Sequence, residues 1–174
     1  MKINLQELRD GESILEFTES LASLDMSSES ASFTSDIPVR LKIYKHDNEI
    51  IVWGSATVEV TEECSRCLAT FDRKFVVQFE VFSDKMGAQK GKEEREAEGE
   101  TFSVPHDGKS LELGPCVREA ILLSLPIRPL CREDCKGLCP VCGKDLNAGT
   151  CDCRKVEPDA RWSILERLKK EKEK

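Results

Sequence analysis

The chain has 174 residues, of which 39% are hydrophobic and 34% are charged, and its formal net charge is -7. This composition supports one modest hydrophobic core and excludes a wholly disordered polymer. No apolar run approaches the ~18 residues of a membrane span, and residues 1–7 lack the apolar core of a secretion signal. We therefore expect a cytoplasmic protein without a membrane partner. The acidic balance also argues against nonspecific coating of nucleic acid.

Alternating hydrophobicity predicts an antiparallel β region over residues 1–83. One or two short strands are expected within residues 1–20, and two longer runs follow, at 39–44 and 50–61. A third run covers residues 74–81. Each of these runs has a period of two, which is typical of strands with one packed and one wet face. Consecutive strands with tight connections predict a meander that begins with a hairpin.

Residues 84–103 are predicted to form a flexible acidic loop, because positions 84–100 contain no Leu, Ile, Val or aromatic residue. An alternative is an acidic arm that mimics nucleic acid. Residues 104–130 are expected to contain a mostly buried helix that completes the core. Its start is predicted at Gly114–Pro115, because proline at the first helical position loses no intrahelical hydrogen bond.

Two further segments complete the predicted organisation. Residues 131–157 form a Cys-rich zinc-binding segment, and residues 158–174 form an amphipathic helix whose Trp162 either docks on the body or awaits a partner. The predicted fold class is α+β. It is an antiparallel β-meander packed on a buried helix, followed by a zinc-ribbon-like segment and a terminal helix.

Nine cysteines are unusual for a cytosolic chain, where thiols stay free unless they bind metal or do redox chemistry. In the Cys139–Gly143 turn, two cysteines three positions apart can aim both sulfurs at one metal, and the glycine lets the backbone turn back beneath them. Its natural partner is the Cys-x-Cys pair that follows. The ligands predicted for a first structural zinc are Cys139, Cys142, Cys151 and Cys153.

Cys116 is predicted to be a core residue and not a ligand, and the remaining cysteines allow a second zinc. Its predicted ligands are Cys64, Cys67, Cys131 and Cys135. Cys135 could instead replace Cys151 or Cys153 in the first site. An alternative function is thiol redox chemistry at Cys64 and Cys67. It is disfavoured, because a redox pair of the thioredoxin type lies between a strand and a helix, whereas this pair lies between two predicted strands.

The sequence predicts no enzyme and no small-molecule substrate. Four-thiolate zinc sites are closed, the two histidines (His46 and His106) lie outside ligand spacing, and no catalytic motif occurs. Residues 115–174 carry 13 basic and 10 acidic side chains. Those near the cysteines either neutralise thiolate clusters of about −2 charge each or form a surface for RNA or a partner protein. The candidates for that surface are Arg128, Arg132, Lys136 and Lys144.

Four stretches carry a family resemblance: Glu63–Leu68, Val117–Pro126, Pro129–Asn147 and Pro158–Trp162. They resemble the bacterial YceD family of large ribosomal RNA subunit accumulation proteins. The resemblance implies a role in large-subunit ribosome assembly. Its implied partner is large-subunit rRNA or a zinc-ribbon ribosomal protein of that subunit. The leading hypothesis is a non-enzymatic factor with one or two structural Zn²⁺ ions, and direct zinc-dependent RNA binding is a further hypothesis.

Overall fold

A computed structural model describes residues 1–26, 31–85 and 100–153. The chain divides into two compact units, Met1–Cys131 and Arg132–Lys174. The helix predicted over residues 158–174, together with Trp162, lies outside the described residues, as does most of the predicted acidic loop.

The described part of the first unit has eight strands and one helix. They are β1 (Lys2–Asn4), β2 (Gly11–Glu19), β3 (Ala31–Phe33), β4 (Ile37–His46), β5 (Glu49–Glu63), β6 (Thr70–Asp84), β7 (Glu100–Ser103), β8 (Ser110–Glu112) and α1 (Gly114–Ser124). The main sheet has the strand order β2-β4-β5-β6-β7, with β3 also paired to β5, and β1 pairs with β8 in a separate two-stranded sheet. This mixture of sheet and helix confirms the predicted α+β class.

The predicted hairpin and the strand after it are confirmed. Strands β4 and β5 pair antiparallel from His46 and Glu49 onward, so the connection is the two-residue turn at Asp47 and Asn48. Asp47 has a φ of 51°, a left-handed conformation that short polar side chains tolerate. Strand β5 then pairs antiparallel with β6 along its whole length.

The core lies on one face of this sheet, as the alternating pattern predicts. On β4, Val39, Leu41 and Ile43 are buried while the residues between them are exposed. Gly54 on β5 lies opposite Phe79 on β6, and a Cβ at Gly54 would overlap the Phe79 ring. The glycine therefore makes the space that this aromatic ring fills.

Helix α1 packs on β5 and β6 and has Pro115 in its first turn, as predicted. Its buried side includes Val117, Ala120 and Ile121, each 0% exposed. The prediction of a mostly buried helix is wrong on the opposite side, where Leu123 is 57% exposed. The reason is that the helix covers one sheet and nothing among the described residues covers its outer side.

The prediction of an acidic loop over residues 84–103 is also wrong at its end. Residues 100–103 form β7, which pairs parallel with β6 and places Phe102 opposite Val81. Phe102 is partly buried against the core, and its burial helps to hold the strand at the sheet edge. The sheet is therefore antiparallel except at this edge.

The second unit, in its described part, is organised by turns around a single antiparallel bridge between Leu138 and Asp145. The Leu146 N–H donates to the Gly137 carbonyl at 2.9 Å, which extends the pairing by one hydrogen bond. Gly137 has a φ of 71°, where glycine has no steric penalty. The result is a short ribbon that carries cysteines at its turn.

Candidate metal centres

The structure brings eight of the nine cysteines into two groups. The sulfurs of Cys64, Cys67, Cys131 and Cys135 lie within 4.8 Å of one another, and so do the sulfurs of Cys139, Cys142, Cys151 and Cys153. These are the two sets of cysteines that the sequence predicts. Cys135 lies with Cys64, Cys67 and Cys131, and does not replace Cys151 or Cys153 in the other set. We call the two sets the buried group and the ribbon group, respectively.

The turn that carries the buried group connects β5 to β6. The Cys64 N–H donates to the Ala69 carbonyl, and the Leu68 N–H donates to the Cys64 carbonyl, each at 2.9 Å. Leu68 is in the left-handed region with a φ of 59°. These two hydrogen bonds fold the backbone so that both cysteine side chains leave the turn on the same side.

The third cysteine of the buried group is held against this turn by the chain that follows α1. The Ser65 N–H donates to the Pro129 carbonyl at 2.8 Å, and the sulfurs of Cys67 and Cys131 are 3.7 Å apart. A tetrahedral zinc with Zn–S bonds of ~2.3 Å has sulfur–sulfur edges of about 3.8 Å. The observed separation therefore fits shared coordination of one ion.

Backbone N–H groups stabilise the thiolate of Cys64. The N–H of Cys131 is the largest cause, with smaller effects from those of Cys67 and Arg66, and together they lower the pKa of Cys64 from 9.0 to about 6 although burial acts to raise it. A thiolate is the form of cysteine that binds metal. The site is thus prepared electrostatically for a cation.

The turn of the ribbon group repeats the same hydrogen bonds. The Cys139 N–H donates to the Lys144 carbonyl, and the Gly143 N–H donates to the Cys139 carbonyl, each at 2.9 Å. Gly143, with a φ of 72°, stands where Leu68 stands in the other turn. The Val141 N–H is 3.4 Å from the Cys139 sulfur, so backbone donors are directed at the first cysteine here as well.

In the ribbon group, the pKa values of two thiols are shifted in opposite directions. The N–H groups of Cys142 and Val141 lower the pKa of Cys139 to about 6. Hydrogen bonding with the Cys142 side chain is the largest cause that raises the pKa of Cys153 to about 12. Closely spaced thiolates repel one another and do not ionise independently, and a divalent ion would offset their combined charge.

Asn147 is a residue whose role sequence reasoning missed. Its side-chain oxygen accepts from the Lys136 N–H at 2.8 Å, and its amide donates to the Asp145 carboxylate at 2.8 Å and to the Cys135 sulfur at 3.5 Å. The sequence signal was only a turn-forming Asn-Ala-Gly run. Asn147 therefore helps to fix the orientation of the Cys135 thiol.

The histidines do not belong to either group. His106 is buried, accepts from the Gly108 N–H through Nδ1 and lies 3.0 Å from the Asn48 carbonyl through Nε2. His46 lies in the exposed β4–β5 hairpin end, 3.9 Å from Asp47. Among the described residues, the two groups are therefore all-cysteine sites that could hold metal ions.

Cys116 lies outside both groups, as predicted. It is 4% exposed on the inner side of α1. Burial, followed by the nearby carboxylate of Glu119, raises the pKa of its thiol to about 11. A protonated, buried thiol is a core side chain and not a metal ligand.

The four predicted basic residues are exposed, and two of them are engaged locally. The Arg132 guanidinium lies 3.5 Å from the Asp134 carboxylate, and the Lys144 ammonium donates to the Thr150 carbonyl at 2.7 Å. Such contacts show that part of this positive charge serves the local loops. Whether these residues contact RNA stays a prediction.

The fold and the thiol groups define a cysteine-rich α+β protein that could hold two metal ions. The family described as "Large ribosomal RNA subunit accumulation protein YceD" matches residues 52–169. The chain belongs to this family, which confirms the resemblance carried by its sequence motifs.

Several curated proteins are similar to the chain. An uncharacterized protein of Mycobacterium leprae is 32% identical over 111 residues, which cover 63% of this chain and 49% of the relative. An uncharacterized protein of Mycobacterium tuberculosis is 30% identical over 126 residues, or 72% of this chain and 58% of the relative. The chain thus spans about half the length of these mycobacterial relatives.

A plant relative has a descriptive name. The "Large ribosomal RNA subunit accumulation protein YCED homolog 1, chloroplastic" of Arabidopsis thaliana is 31% identical over 67 residues, which cover 38% of this chain and 21% of the relative. No solved structure matches the chain. In the part of the chain that the structure describes, no helix has the length and apolar character needed to cross a membrane.

Proposed function

We propose that this protein is a non-enzymatic, zinc-binding factor that acts in the cytoplasm to support accumulation of large-subunit rRNA. The observation that carries the proposal is membership of the YceD family, whose model matches residues 52–169. That match includes the positions of all eight grouped cysteines. The name of the Arabidopsis relative refers to the same process.

Zinc is the metal that the ligand chemistry supports best. Sets of four cysteine thiolates are typical of structural zinc, which accepts tetrahedral geometry without redox chemistry. Two such sets suggest two ions per chain. An ion with four protein ligands has no open position for a substrate, so these sites are suited to support of the fold and not to catalysis.

Burial opposes the redox alternative at the first pair of cysteines. Cys64 is 0% exposed and Cys67 is 9% exposed. Disulfide exchange requires direct attack on an accessible sulfur. These two residues are better suited to hold a metal than to react with a partner disulfide.

The proposed partner is large-subunit rRNA or a zinc-ribbon ribosomal protein. A titration with RNA distinguishes the two. The zinc-loaded chain is titrated with a fragment of large-subunit rRNA, and the candidate surface is changed by the substitutions R128A, R132A, K136A and K144A. Contacts with phosphate predict weaker affinity and a smaller dependence on salt concentration. The matched control is R40A, K42A, K74A and K109A, which removes the same charge elsewhere.

Equal affinity of both variants and the unchanged chain would exclude this surface from RNA binding and favour the protein partner. The biological proposal is tested in cells that lack the protein. We expect a loss of the large-subunit peak in sucrose-gradient sedimentation and of mature large-subunit rRNA. Full-length protein with C116A should restore both, whereas protein with C64S and C67S should not. A normal sedimentation profile in cells that lack the protein would contradict the assignment.

A further inference from the structure

The two cysteine groups differ most in how easily solvent reaches their sulfurs. In the buried group, Cys64 and Cys135 are 0% and 3% exposed. In the ribbon group, Cys142 is exposed, and Cys151 and Cys153 are half-buried. The neighbouring Val141 is 52% exposed, so the outer end of this turn faces solvent.

We propose that Cys142 is a site of oxidative modification, at which a hydroperoxide starts formation of a Cys142–Cys153 disulfide that opens the ribbon group and releases its metal. The proposal rests on the metal-binding part of the proposed function. It assigns this group a response to oxidants that the buried group does not share.

The chemistry needs only the protein and the hydroperoxide. The Cys142 thiolate attacks the peroxide oxygen, which forms an S–O bond, breaks the O–O bond and leaves a sulfenic acid and hydroxide, or an alcohol from an organic hydroperoxide. The Cys153 sulfur then attacks the sulfenic sulfur and displaces the hydroxyl group, which leaves as water after it takes a proton. Two sulfurs lose two electrons in total, and the peroxide gains them.

Contacts within the group favour Cys153 as the second sulfur. The side chain of Cys142 is hydrogen-bonded to those of Cys153 and Cys139, and Cys139 is also hydrogen-bonded to Cys151 and Cys153. Cys139 is only 6% exposed and accepts backbone N–H groups from its own turn. Cys142 and Cys153 are therefore the pair that combines mutual contact with solvent access.

Loss of two ligands would leave Cys139 and Cys151 as the remaining thiolates of the site. Two thiolates hold zinc much more weakly than four, because each ligand contributes to the binding free energy. The buried group keeps its four sulfurs in the same reaction. The structure thus predicts selective release of one ion of two.

The test uses the full zinc-loaded chain and hydrogen peroxide. Zinc release is followed with a colorimetric chelator, and disulfides are mapped by mass spectrometry of proteolytic peptides. We expect release of about half of the bound zinc, a Cys142–Cys153 disulfide, and oxidation of Cys142 roughly tenfold or more faster than that of Cys64. A reductant with added zinc should reverse the change.

The variant C153S removes the second sulfur but leaves Cys142 in place. It should stop at the sulfenic acid, which dimedone traps at Cys142, while C116A should behave as the unchanged chain. Faster oxidation of the buried group, a disulfide that excludes Cys142, or no oxidation of Cys142 would overturn the proposal. A chain without bound zinc would refute the metal-binding function, and the disulfide map would still decide the modification site.

Discussion

The turns at Cys64 and Cys139 have the same backbone hydrogen bonds but very different supports. The first connects β5 and β6, which pair along 15 positions, and the second closes a ribbon with a single bridge between Leu138 and Asp145. The first uses a leucine in the left-handed conformation, whereas the second uses Gly143. A long hairpin can compensate for the strain of a leucine there, while a short ribbon uses the residue without that penalty.

Because other contacts support the second turn less than the first, we expect its cysteine group to depend more on a bound metal. Next to the first turn, the buried Glu62 forms an ion pair with Arg73 at 2.8 Å, and the sheet core lies beneath. The described part of the second unit contributes mainly turns and cysteines to its own stability.

Metal removal should change the protein most. A strong chelator should unfold residues 132–153, because the binding free energy of structural zinc, on the order of 10 kcal/mol, is also folding free energy. Hydrogen-exchange mass spectrometry should detect lost protection in this segment, while the centre of β5 stays protected. Unchanged protection of residues 132–153 after complete metal removal would contradict this dependence.

A substitution in the sheet should affect the first unit alone. G54A places a methyl group against the Phe79 ring and should lower the free energy of unfolding of the first unit by about 1–3 kcal/mol. Chemical denaturation followed by circular dichroism measures this loss. S55A, one position along on the other face, is the matched control, and an equal effect of both substitutions would argue against overpacking as the cause.

A smaller effect should distinguish the two turns. G143A forces alanine into a φ of 72° and should weaken metal binding at the ribbon group by about 1–2 kcal/mol, the cost of the left-handed conformation. L68G relieves the same strain at the buried group and should strengthen binding there or leave it unchanged. Chelator competition on each variant gives both values, and weaker binding by L68G would contradict the assigned strain.

The smallest effect concerns the cysteine outside both groups. The pKa of the Cys116 thiol is raised from 9.0, the ordinary value for cysteine, to about 11 in the folded protein. The thiol therefore stays protonated at pH 8 and should resist iodoacetamide. Its contribution to stability is complete below about pH 9 and is lost as the pH rises towards 11, because the unfolded chain ionises first. Denaturant unfolding at pH 8 and pH 10 should show that C116A loses less of its free energy of unfolding between these pH values than the unchanged chain does. Rapid alkylation of native Cys116 would contradict its burial.

Much of the architecture could be predicted because it depends on local patterns. The period of two in β4, β5 and β6 reports directly which face is buried, and Pro115 marks the start of α1. The two groups of cysteines could also be predicted, since Cys-x-x-Cys turns are local and the remaining thiols are few. The partner and the basic surface stay predictions.

Other features depend on contacts between distant parts of the chain. Strand β7 is only four residues long and is held by pairing with β6 and burial of Phe102, which no short pattern reveals. The exposure of Leu123 follows from the single layer that α1 covers. Leu68 adopts the left-handed conformation, which leucine normally disfavours, because the surrounding hairpin determines its backbone conformation.

The distance along the chain between ligands has a consequence for biogenesis of the protein itself. Cys67 and Cys131 are separated by 64 positions, and Cys135 comes later still, so the buried group cannot be assembled on a nascent chain until all of Met1–Cys131 has left the ribosome. The ribbon group needs only the stretch from Cys139 to Cys153, and closing a short loop costs less entropy. A metal ion first bound by Cys64 and Cys67 would therefore gain its last two thiolates only after the strands of the first unit have been synthesised.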